Sequence, residues 1–77
     1  MKIQILGTGC PKCKLLFENA QSAVQTLGLD ATVEKVEKIT DIVAFGVMTT
    51  PAIVIDGKVK SAGKALSAEQ VADLLKA

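Results

Sequence analysis

The chain has 77 residues, nine Lys or Arg against eight Asp or Glu, a formal charge of +1, 49% hydrophobic residues and 3% aromatic ones. That length suits one domain, expected over residues 1–77, whose core must be built from aliphatic side chains. Interspersed charge and the lack of Trp and Tyr argue against nucleic-acid binding, and no apolar run approaches the ~18 residues of a membrane span.

Lys2 to Leu6 reads as a buried strand with no secretory leader pattern before it, so a cytoplasmic, reducing location is the expectation. Gly7-Thr8-Gly9 ends that strand, and a helix starts at Pro11, where the missing N–H has no intrahelical partner to lose. Its apolar positions are Cys13, Leu16, Phe17, Ala20, Ala23, Val24 and Leu27, a 3.6-residue stripe stopped by Gly28. Asp30 to Val36 is a weaker strand. Val33 and Val36 break its alternation, which predicts an edge position or a bulge.

Ile39, Ile42, Val43 and Phe45, closed by Gly46, predict a second helix of about two turns. Thr50-Pro51-Ala52-Ile53-Val54-Ile55 then reads as a strand, Asp56-Gly57 as a two-residue type I′ turn, and Lys58 to Ser61 as the returning strand. Ser67 and Gln70 form a capping box, and Val71, Leu74 and Leu75 give a last helix from Ala68 to Lys76 one apolar face. The order is βαβαββα.

Chemistry concentrates in Cys10-Pro11-Lys12-Cys13, the chain's two cysteines, at a strand-to-helix turn. A bridge across so short a loop constrains the unfolded chain little, so the pair is a poor structural staple. Amide donors and the helix dipole at that terminus stabilise a thiolate. Cys10, at or next to the cap and exposed, is the candidate nucleophile, with Lys12 and Lys14 as further sources of positive charge, Lys12 equally reading as a residue that only solvates the helix end. Cys13, one turn in on the apolar stripe, is shielded and suits the resolving role. The bland alternative is two small hydrophobes packed near a helix start. The chain has no histidine, phosphate loop or carboxylate pair near the cysteines.

Three segments carry a resemblance: Gly7-Thr8-Gly9-Cys10-Pro11-Lys12-Cys13, Gly46-Val47-Met48-Thr49-Thr50-Pro51, and Val54-Ile55-Asp56-Gly57-Lys58-Val59. With them the chain resembles the thioredoxin fold, and more closely the small glutaredoxin-like redox-active disulfide proteins of archaea and bacteria. The resemblance implies an α/β, thioredoxin-like fold: a four-stranded mixed sheet with helices on both faces. It implies a cis Thr50–Pro51 bond facing the cysteines and a substrate groove bordered by Thr8, Pro11, Lys12, Met48, Thr50, Pro51 and Gly63. The activity implied is thiol–disulfide oxidoreduction on disulfide-containing proteins by a monomer, with no metal and no cofactor beyond the reversible Cys10–Cys13 disulfide.

Departures narrow the reading. Gln4 stands where thioredoxins carry a buried aspartate, and Gly9 where they carry an aromatic residue. Ala62-Gly63-Lys64-Ala65 lacks the acidic residue with which glutaredoxins hold glutathione. Glutathione is therefore disfavoured as a dedicated cosubstrate, and a flavoprotein or ferredoxin-linked disulfide reductase is the expected partner. The alternative function is a soft-metal module for Cu(I) or Zn using the same cysteines. The chaperones of that class end in a strand, whereas a helix is expected to end this chain.

Overall fold

The computed structural model describes residues 1–76; Ala77, the last residue of the expected domain, lies outside the described residues. Seven elements follow in the expected order: β1 (Lys2–Leu6), α1 (Pro11–Leu27), β2 (Thr32–Val36), α2 (Ile39–Ala44), β3 (Ala52–Ile55), β4 (Lys58–Ala62) and α3 (Ala68–Lys76). The strands form one mixed sheet ordered β2-β1-β3-β4, with β1 parallel to β2 and antiparallel to β3, and β3 antiparallel to β4. This is a thioredoxin-like α/β fold.

Alternation along the central strands sends successive side chains to opposite faces. Ile3, Ile5, Ile53 and Ile55 pack on one face against Leu16, Ala20 and Ala23 of α1 and Val71 and Leu75 of α3. Leu6, Ala52 and Val54 pack on the other face with Ile42 of α2 and Val47. The six-residue α2 is too short to cover that second face fully, and Gln4 there is half-buried rather than enclosed.

Local chemistry sets the element ends. Asp56 and Gly57 both have positive φ, 50° and 83°, as a type I′ turn requires. Asp56 also ties the turn to β1: its carboxylate accepts from the Lys2 N–H at 2.9 Å, and its own N–H donates to the Lys2 carbonyl at 2.8 Å. The capping box forms in full, with Gln70 N–H donating to Ser67 Oγ at 3.1 Å and Ser67 N–H to Gln70 Oε1 at 3.0 Å.

Four boundaries differ from the sequence reading, the first being that β3 starts at Ala52 rather than Thr50, because Thr50 and Pro51 lie in the bend before it. β2 starts at Thr32 rather than Asp30 and is a regular edge strand. The bulge falls in β4 instead, where Ile53 pairs with Ser61 but Val54 with Val59, leaving Lys60 as the extra residue. β4 runs on to Ala62, and α2 ends at Ala44 with Phe45 as its cap.

Candidate active site

The site sits where α1 leaves the carboxyl end of β1. Parallel pairing aligns Leu6 with Val36, and the Gly7 N–H donates to the Val36 carbonyl at 3.0 Å, so the turn after β1 is fixed beside the end of β2. Cys10 is the N-cap of α1, with extended backbone (φ −67°, ψ 162°), and Pro11 opens the first turn. Its sulfur takes the place of the usual capping oxygen: the Cys13 N–H donates to Cys10 Sγ at 3.3 Å.

The two cysteines are free thiols with sulfurs 2.6 Å apart. Cys10 is partly exposed, whereas Cys13 is only 5% exposed on the inner face of α1. Their acidities are driven in opposite directions. The Cys13 thiol hydrogen bond, followed by the Cys13 backbone N–H, holds the Cys10 pKa below the ordinary thiol value, with burial opposing. Burial pushes the Cys13 pKa up, and its hydrogen bond to Cys10 adds to the rise. Lys12 helps Cys10 through its backbone N–H; the expected contribution of the Lys12 and Lys14 ammonium charges finds no support here.

Gly7 is the residue that sequence reasoning passed over. A Cβ built there would run into Cys13 Sγ and stand 2.8 Å from Cys13 Cβ. Glycine is required at this position for space, since Cys13 packs directly on the Gly7 backbone. The only sequence signal was a glycine at the end of a buried strand, which equally marks a turn.

The expected groove residues divide into two groups. Thr8, Met48 and Thr50 line one mostly apolar groove of about 560 Å³, together with Ile39, Ile42, Val43, Gly46 and Val47. Met48 is 99% exposed on its rim. Pro11 and Lys12 are exposed on the first turn of α1 and do not line it. Pro51 is fully buried, and its peptide bond with Thr50 is cis. Gly63 approaches Pro51 from the bend just after β4: its N–H donates to the Pro51 carbonyl at 2.8 Å, and a Cβ on it would stand 3.0 Å from Thr49 Oγ1. Among the described residues, no three metal-ligating side chains converge, so the soft-metal alternative gains no support. The described chain also closes in α3 rather than in a strand.

The thioredoxin domain family matches residues 1–76. A thioredoxin of Methanothermobacter thermautotrophicus is 41% identical over 75 residues, covering 97% of both chains. A thioredoxin of Methanocaldococcus jannaschii is 40% identical over 74 residues, covering 96% of this chain and 85% of that one.

Proposed function

The chain belongs to the thioredoxin family and is a protein disulfide oxidoreductase, and we propose that it reduces protein disulfides with Cys10 as nucleophile and Cys13 as resolving thiol. The observation that carries this reading is the opposite tuning of two adjacent thiols. Cys10 is the accessible sulfur with lowered pKa, and Cys13 is the buried sulfur with raised pKa. Cys10 thiolate attacks a substrate disulfide and forms a mixed disulfide. Cys13 then attacks Cys10, releasing the reduced substrate and leaving the Cys10–Cys13 disulfide.

Electrons are held in that dithiol pair, so the reaction needs no bound cofactor. The groove along Thr8, Met48 and Thr50 is mostly apolar and suits an extended segment of substrate protein. Ala62-Gly63-Lys64-Ala65 offers no carboxylate for the glutathione amino group, which favours a flavoprotein or ferredoxin-linked reductase as electron donor. No helix among the described residues is long and apolar enough to cross a membrane; the proposed setting is a reducing cytoplasm.

The test is turnover of a protein disulfide coupled to such a reductase. Cys10→Ser should abolish it, and Cys13→Ser should accumulate a covalent substrate adduct on Cys10. Full turnover by Cys10→Ser overturns the assignment. Efficient, saturable reduction by glutathione alone overturns the choice of donor.

A further inference from the structure

A narrow cleft of about 40 Å³ opens behind the resolving thiol, lined by Gly7, Gly9, Cys13, Lys14, Lys35 and Glu37, with Ile5 at its base. The charged groups facing Cys13 across it come from three places: Lys14 from α1, Lys35 from β2, and Glu37 from the residue following β2. An ammonium group has no site to accept a proton, whereas a carboxylate does. Lys35 is also drawn aside, its Nζ 4.6 Å from the centre of the Phe17 ring.

We infer that Glu37 is the acceptor for the Cys13 proton when Cys13 attacks the mixed disulfide. This rests on the proposed roles of Cys10 and Cys13. The Gly7 N–H to Val36 carbonyl bond fixes the backbone immediately before Glu37 against the cysteine turn. The Glu37 side chain leans over the residue preceding Cys10: a Cβ on Gly9 would stand 3.5 Å from Glu37 Oε2. Among the described residues, the Glu37 carboxylate makes no ion pair and accepts no side-chain hydrogen bond. Cys13 is only 5% exposed, no buried polar or charged side chain lies beside it among the described residues, and its neighbour Cys10 Sγ is bonded to substrate in the mixed disulfide, so this cleft is its route to a proton acceptor. The cleft has room for a bridging water, since a water needs about 10–15 Å³ of such space, and one water is within the reach of a positioned base.

The step balances as follows. Cys13 S–H gives its proton to the Glu37 carboxylate, directly or through one water, and its lone pair forms the bond to Cys10 Sγ. The bond between Cys10 Sγ and the substrate sulfur breaks, its electron pair leaves on that sulfur as the thiolate, and the proton passes from Glu37 to solvent. Over the two exchanges, attack by Cys10 and then by Cys13, the substrate disulfide is reduced by two electrons and the Cys10–Cys13 pair is oxidised by two.

The experiment starts from the protein carrying thionitrobenzoate on Cys10 as a preformed mixed disulfide, and follows release of the coloured thiolate across pH. Cys13→Ser must stop the release; if it does not, the roles of the two cysteines fall, and the Glu37 inference falls with them. Given that result, Glu37→Gln should slow release at neutral pH by about tenfold or more, near or below the lower end of the range for positioned acid–base groups because Glu37 is exposed. Its rate should then climb with pH through the neutral range, where the native rate stays nearly flat, and Glu37→Asp should restore part of the loss. Cys10 alkylation by iodoacetamide should be unchanged in Glu37→Gln, which separates proton transfer from a general disturbance of the site. Native release rates and an unchanged pH profile in Glu37→Gln, with Cys13→Ser inactive, overturn the inference alone.

Discussion

Gly7→Ala tests the geometry that places Cys13. The new Cβ would stand 2.8 Å from Cys13 Cβ, whereas non-bonded carbons rest about 3.5–4.0 Å apart, so the two backbones must separate by roughly 0.7–1.2 Å. Gly7 is buried and its neighbour is the first turn of α1, so little can give cheaply. Overpacking on this scale costs about 1–3 kcal/mol, and a domain of this length loses about 4–8 °C in Tm per kcal/mol. The functional effect should be larger. A shift near 1 Å of a reacting atom is worth up to ~100-fold in rate, and it also weakens the Cys13 hydrogen bonds that lower the Cys10 pKa. Thermal unfolding of the reduced protein, protein-disulfide turnover, and the pH at which Cys10 becomes half-reactive to iodoacetamide are the three readouts. Tm and turnover should fall, and the half-reactive pH should move up toward that of an ordinary thiol. A Gly7→Ala protein with native Tm, native turnover and an unshifted Cys10 profile would refute the close packing of Cys13 on Gly7.

The remaining predictions probe the core, a helix start and the groove. Leu16→Ala, at a fully buried position between α1 and the sheet, should cost about 2–5 kcal/mol in urea unfolding while leaving Cys10 more reactive than Cys13; a loss under about 1 kcal/mol would mean that the α1 face is not the main core. Ser67→Ala removes one of the two capping-box bonds of α3 and should cost about 0.5–2 kcal/mol, with no change in thiol reactivity. Met48→Ser should leave Tm unchanged, because the side chain is almost wholly exposed, and should raise KM for a protein disulfide more than for a small aromatic disulfide. Equal effects on both substrates would argue against contact between this groove and substrate protein.

The order of elements was legible in the sequence because short apolar runs and strong punctuation coincide. Ile3-Gln4-Ile5-Leu6 and Ala52-Ile53-Val54-Ile55 are short apolar runs of buried strands, Asp56-Gly57 fits a single hairpin geometry, and Ser67 with Gln70 marks a helix start by spacing alone. The cysteine pair was legible for the same reason, since Pro11 fixes where the helix begins and hence which sulfur is at its cap. The bulge at Lys60 was not, because it depends on how β4 meets β3 rather than on either strand's own pattern. Glu37 and Gly7 were also out of reach. Their importance comes from parallel pairing of β1 with β2, which brings positions 30 residues apart to either side of Cys13, and nothing local to either residue announces it. The charge contribution expected of Lys12 and Lys14 gains no support, because hydrogen bonds from Cys13 and the backbone act on the Cys10 sulfur directly.

The central claim is that the two thiols are driven apart in acidity, with the accessible one the more acidic. Mass-resolved alkylation of the reduced protein as a function of pH measures this directly. A lowered pKa means that Cys10 reaches its thiolate form at lower pH than an ordinary thiol, and a raised one means that Cys13 does so at higher pH. The account predicts a label on Cys10 first at every pH, with a half-reactive pH below that of a free cysteine, and Cys13 labelled only on the alkaline side. Equal half-reactive pH values for the two residues, or Cys13 labelled first, would contradict it.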